Sequence, residues 1–91
     1  MQCRQPAVAG TFYPAEPTEL SATVHELLAA ADPTTLPRQP KALVVPHAGY
    51  IYSGIVAAQG YRKLQPYAAK IRRVILLGPN HRVALEGIAA P

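Results

Sequence analysis

Two short apolar runs set the limits on what this chain can fold into. Ala42-Leu43-Val44-Val45 is stopped by Pro46, and Val74-Ile75-Leu76-Leu77 is stopped by Gly78-Pro79. Neither run alternates apolar with polar. A strand with one wet face alternates with period two. A strand covered on both faces does not, and such strands are typical of parallel sheets lined by helices. Between the runs, Val56, Ala57, Gly60, Tyr61 and Leu64 share one face of a helix over about residues 53–65, with Gln59, Arg62 and Lys63 on the other. Ser53 stands where an N-cap is wanted. Gly60 costs about 1 kcal/mol in a helix interior, so its place on the apolar face points to close packing against the sheet. The pattern is a β-α-β unit, whose crossover is right-handed and whose strands are parallel.

Upstream, residues 5–14 are small and apolar, bounded by Pro6 and Pro14, and read as an extended segment packed on the core. Residues 17–31 read as a helix. Pro17 suits its first turn, Leu20, Val24, Leu27, Leu28 and Ala31 form one stripe, and Asp32-Pro33 ends it. Residues 32–40 carry three prolines and form a connector. Residues 87–91 resemble the start of a third strand. The expected fold class is α/β, in the order α-β-α-β with parallel strands. Two helices cannot cover two or three such strands without leaving a raw edge. Residues 1–91 are therefore expected to be the N-terminal part of one larger α/β domain, with apolar surface left exposed, self-associating or covered by a partner chain.

Composition narrows the function classes. The chain has 91 residues, of which 23 are large apolar side chains (Leu, Ile, Val, Met, Phe). A chain of this length buries about 60–65% of its unfolded surface when it folds as a complete domain. No 18-residue window is free of both charge and proline, which excludes a transmembrane helix, and no apolar signal region opens the chain. The single cysteine, Cys3, excludes an internal disulfide framework and a multi-cysteine zinc site, so the cytoplasm is the default location. Asp32 is the only aspartate among five carboxylates, too few for paired-carboxylate hydrolysis. The net charge is +4, and Arg62, Lys63, Lys70, Arg72 and Arg73 fall within 12 residues. A nucleic-acid face is one reading of that cluster; a solvated helix end with cations at its C-terminus is the other. The second is preferred, because only Tyr61 and Tyr67 accompany the cations and no binding motif does. Gly49 and Gly54 have phosphate-loop spacing, but Ile55 follows where such a loop needs lysine. The start of the helix after them could still hold an anionic group.

The three histidines differ in context. His25 lies off the apolar stripe of the first helix and is expected to face solvent. His47 follows the first run and His81 the second. In parallel neighbours about 4.8 Å apart, both emerge at the carboxyl edge, where ligands of open α/β sheets gather. Two imidazoles can then converge on one point. Imidazole is the commonest metal ligand near neutral pH. Two histidines with a carboxylate suit non-haem Fe(II), and other ligand sets suit Zn or Cu. The plain alternative is a pair of loop histidines bonded to backbone carbonyls. No third ligand can be named, since Cys3 and the four glutamates sit in no ligand spacing. Tyr13, Tyr50 and Tyr52 could line a pocket and donate a hydrogen bond, with simple packing as the alternative. Asn80, beside His81, joins Tyr13 and Tyr50 as a candidate substrate contact.

Three segments carry a resemblance. Arg4-Gln5-Pro6-Ala7-Val8-Ala9-Gly10-Thr11-Phe12-Tyr13-Pro14, Pro46-His47-Ala48-Gly49-Tyr50-Ile51-Tyr52-Ser53-Gly54 and Leu76-Leu77-Gly78-Pro79-Asn80-His81-Arg82 resemble the start of the Memo family, whose bacterial and archaeal members are labelled AmmeMemoRadiSam system protein B. The resemblance implies a fold like that of LigB-type class III extradiol dioxygenases, which are non-haem iron enzymes. It implies that His47 and His81 line a divalent-metal site, with Fe(II) foremost and Cu or Zn as alternatives. A further ligand would come from the C-terminal part of the family's domain, beyond residue 91. The family's reaction is unassigned. Two functions follow: a metal-dependent, dioxygenase-like domain acting on a small molecule or peptide, or a non-catalytic module whose cleft binds a peptide or anionic ligand.

Overall fold

Glu16 opens the first helix. In the computed structural model, which describes residues 3–81, 84 and 86–89, its carboxylate accepts from the Thr18 N–H at 3.1 Å and the Glu19 N–H at 2.8 Å. A helix start leaves four donors without partners, and Glu16 serves two of them. These bonds, that to Glu19 foremost, hold its carboxyl below the usual glutamate value. Helix α1 spans Pro17–Ala30. Its stripe of Leu20, Val24, Leu27 and Leu28 is half-buried, and Ala31 just beyond is buried.

Helix α2 spans Tyr50–Arg62, three residues earlier than expected at each end. Gly49 occupies the cap position, and the Tyr50 N–H donates to the Phe12 carbonyl at 2.8 Å. A neighbouring loop thus does what a capping side chain was expected to do, and Ser53 is no N-cap. It lies buried within the first turn, its hydroxyl donating to the Ala48 carbonyl at 2.8 Å. The Phe12 carbonyl is presented by a tight turn rather than by an extended segment. Thr11 and Phe12 N–H both donate to the Val8 carbonyl, and Gly10 N–H donates to the Tyr13 carbonyl. Gly10 has φ +83°, a conformation that costs other residues dearly.

The packing of α2 differs from its expected face. Ser53, Gly54 and Ala58 are its buried residues, while Val56 and Tyr61 stay exposed. The small pair Gly54 and Ala58, one turn apart, lets α1 approach: a Cβ on Gly54 would lie 3.1 Å from Leu27 Cδ1. Arg62 and Lys63, expected to face solvent, turn inward instead. Arg62 donates to the Leu28 carbonyl at 2.9 Å, an acceptor at the end of α1 that also takes the Ala31 N–H at 3.2 Å. Lys63 donates to the carbonyls of Asp32 at 3.1 Å and Thr34 at 2.8 Å, with the Asp32 carboxylate farther off at 3.8 Å. Gln59 accepts from the Asp32 N–H. Tyr67, in a short 3₁₀ helix over Gln65–Lys70, donates to the Leu36 carbonyl. Four side chains thereby tie the end of α1 and the proline-rich connector onto α2 and the turn after it. The Asp32 carboxyl is held below its usual value, first by the Thr34 hydroxyl, then by the Thr34 N–H and Lys63.

Gly60 faces the first apolar run. A Cβ there would stand 2.7 Å from Val45 Cγ1, closer than real contacts allow. The runs 42–45 and 74–77 are not joined in a ladder, and the one bridge among the described residues is Ala9 to Tyr13. Their side chains are largely open to solvent: Val44, Val74, Ile75, Leu76 and Leu77 are each more than three-quarters exposed. Of the expected third strand, residues 87–89 are irregular, and 90 and 91 lie outside the described residues, as does Arg82. No helix among the described residues is long and apolar enough to cross a membrane.

Candidate metal centre

His47 is placed by what surrounds it in the chain. Val45, two residues before, is seated against Gly60 of α2. Ala48 and Gly49, just after, are gripped by Ser53, and Tyr50 begins the helix. His81 arrives on a different arm, four residues beyond the exposed Val74–Leu77 run. The two rings nevertheless meet. Their Nε2 atoms are 3.2 Å apart, their centroids 5.2 Å apart, and their planes are inclined by 41°. The two Nε2 atoms are within hydrogen-bond distance, and which of them donates depends on the tautomers. Both histidines are exposed. His25 takes no part: on α1, its Nδ1 donates to the Ser21 carbonyl at 2.7 Å.

The spacing fits two ligands of one ion. Metal–imidazole bonds are about 2.0–2.1 Å long. Two such bonds at tetrahedral to right angles set their nitrogens about 2.8–3.4 Å apart, a range that contains the observed 3.2 Å. Ligation by both Nε2 atoms would require the donating ring to carry its proton on Nδ1. Among the described residues no group of three or more His, Cys, Asp and Glu side chains is gathered. Cys3 is exposed.

The tyrosines form a second feature. Tyr13 and Tyr50 pack with ring centroids 5.8 Å apart. They line an open groove of about 420 Å³ together with Phe12, Thr23, Leu27 and Ile51. Neither histidine lines it. The contributions of Thr23 and Leu27 are not readable from motif spacing, because they depend on how α1 crosses the 8–13 turn. Tyr52, another candidate pocket residue, is exposed on the outer face of α2. Asn80 is exposed and adjoins His81 in the chain.

Comparison with known proteins bears on this arrangement. The family model described as "Memo-like protein" matches residues 4–91. The chain belongs to the Memo-like family. A MEMO1 family protein of Aquifex aeolicus is 47% identical over 81 residues, covering 89% of this chain and 28% of the relative. A MEMO1 family protein of Pyrobaculum arsenaticum is 48% identical over 99 aligned positions, covering all of this chain and 33% of the relative. Protein MEMO1 of Xenopus tropicalis is 41% identical over 87 residues, covering 96% and 28%. The Memo-like chain thus spans about a third or less of the length of these curated relatives. No solved structure matches it.

Proposed function

We propose that this Memo-like chain supplies a two-histidine half-site, His47 and His81, for a divalent metal in a LigB-like α/β domain of which residues 1–91 form the N-terminal part. Fe(II) is the foremost candidate, with Cu and Zn as alternatives. The observation that carries the reading is the 3.2 Å approach of two Nε2 atoms from loops 34 residues apart. A bound ion would supply Lewis-acid or redox chemistry. The chain's own residues would hold it through Nε2 and keep the Nδ1 protons outward. Selective catalytic sites usually have three protein ligands, so two imidazoles alone should bind weakly. Tyr13 and Tyr50 would contact a small-molecule or peptide substrate from their groove, and Asn80 would do so from the His81 loop. A cytoplasmic setting suits the exposed, unpaired Cys3.

The groove between α1 and the 8–13 turn favours a second reading. Its aromatic lining, away from both histidines, suits a binding module that takes up a peptide or anionic ligand without turnover. Titration of the protein with Fe(II) under anaerobic conditions, and with Zn(II) and Cu(II), separates the two. Replacing His47 or His81 by alanine should each lower affinity at least tenfold, and His25→Ala should leave it unchanged. Equal affinity in all four proteins removes the metal reading and leaves the binding module.

A further inference from the structure

We infer that Ser53 is a positioning residue for His47, aiming its imidazole at the partner ring by fixing the loop carbonyl that follows it. A serine inside a helix ordinarily bonds back to the carbonyl four residues earlier. Here that carbonyl belongs to Gly49, and it already accepts from the N–H groups of Tyr52 and Ser53 at 2.9 and 3.0 Å. The Ser53 hydroxyl is 3.4 Å from it. Its short bond, 2.8 Å, reaches one residue farther, out of the helix and into the loop, to Ala48. No backbone N–H among the described residues is paired with the Ala48 carbonyl. Ser53 is 6% exposed, so the donor end of this part-buried bond is shielded from water.

The peptide fixed by this bond is the one immediately after Ala48, three rotatable backbone bonds from the His47 Cα. On the other side, Val45 is pressed against Gly60, where no side chain could fit, and the residue between, Pro46, has its φ fixed by its ring. His47 is therefore held from both flanks by α2.

This inference rests on the metal reading above, and the test separates the two. Co(II) is titrated into wild-type protein, Ser53→Ala, Ser53→Thr and His47→Ala, following both the affinity and the visible ligand-field absorption. Ser53→Ala should weaken Co(II) binding about tenfold and change the band shape, while helix content by circular dichroism is kept. Ser53→Thr retains the hydroxyl and should restore both signals. Wild-type affinity and spectrum in Ser53→Ala, with binding lost in His47→Ala, overturns the positioning role and spares the metal reading. Failure of Ser53→Thr to restore what Ser53→Ala loses also overturns it, since packing rather than the hydroxyl would then be at work. Binding that is equal in wild type and His47→Ala removes the metal reading itself, and with it the role given to Ser53.

Discussion

Glu16 and Asp32 each accept from the backbone N–H two residues on, and each gains a second donor, Glu19 N–H for one and the Thr34 hydroxyl for the other. Both carboxyls are held below their ordinary values by these bonds. The unfolded chain therefore binds protons more readily than the folded one in this region. Stability from the two groups is fully present above their unfolded values, about pH 4, and is lost as pH falls through the lower folded values. We expect the urea midpoint to drop between about pH 5 and pH 2. The slope should be shallower in Glu16→Gln and Asp32→Asn, whose neutral amides do not titrate. An acid limb unchanged in the double variant assigns the acid sensitivity elsewhere. Neither role is visible as a motif, because any acidic residue before a helix or a proline turn reads simply as solvated charge.

Helix α2 organises the site, and its two interior glycines do different work. Gly54 faces the tip of Leu27, a side chain that can rotate away; a Cβ added at Gly60 would stand 2.7 Å from Val45 Cγ1, on a stiff β-branched residue. Either glycine replaced by alanine gains about 1 kcal/mol of helix propensity. At position 54 that gain should roughly balance the mild crowding. At position 60, overpacking of about 1–3 kcal/mol should win, giving a net loss by chemical denaturation, and Val45→Ala in the same background should recover part of it. Equal effects at the two positions would contradict this assignment. The existence of both helices was readable from periodicity; close packing at Gly60 was expected against a sheet, and what stands there is the Val45 side chain. The starting point of α2 was not, because its cap comes from the Phe12 carbonyl, contributed by a turn nearly forty residues earlier. The inward turn of Arg62 was not either: a cation at a helix end reads as exposed until another helix's carbonyls are known to lie beside it. His47 and His81 do approach to 3.2 Å, but without the ladder between the two runs from which their convergence was expected. The approach of Tyr13 to Tyr50 follows from no spacing, since Gly10 had to reverse the chain first.

For the whole molecule, surface area decides. The chain exposes 8332 Å², whereas a folded monomer of its 9.7 kDa mass exposes about 5100 Å² and its unfolded chain about 14,000 Å². Folding as seen here hides about 40% of the unfolded surface, not the 60–65% of a complete domain, and the buried apolar side chains among the described residues are Ala31 and Ala58. The uncovered surface is not spread evenly. Val74, Ile75, Leu76 and Leu77 form an uncharged, β-branched-rich run with no ladder partner, and Ile51, Tyr52 and Ile55 leave a second apolar area on α2. An apolar segment with free backbone groups is a template for pairing with another chain. The 91-residue chain alone should therefore self-associate at micromolar concentration. Sedimentation velocity should give a mass well above 9.7 kDa, and a dye that fluoresces on apolar surface should bind. Ile75→Lys with Leu77→Lys places charges along the run, where pairing would stack them, and should shift the distribution toward monomer without loss of helix signal. A monodisperse monomer that binds no dye would mean that the run is covered within one chain, and the expectation of a larger α/β sheet completing it would lose its main physical support.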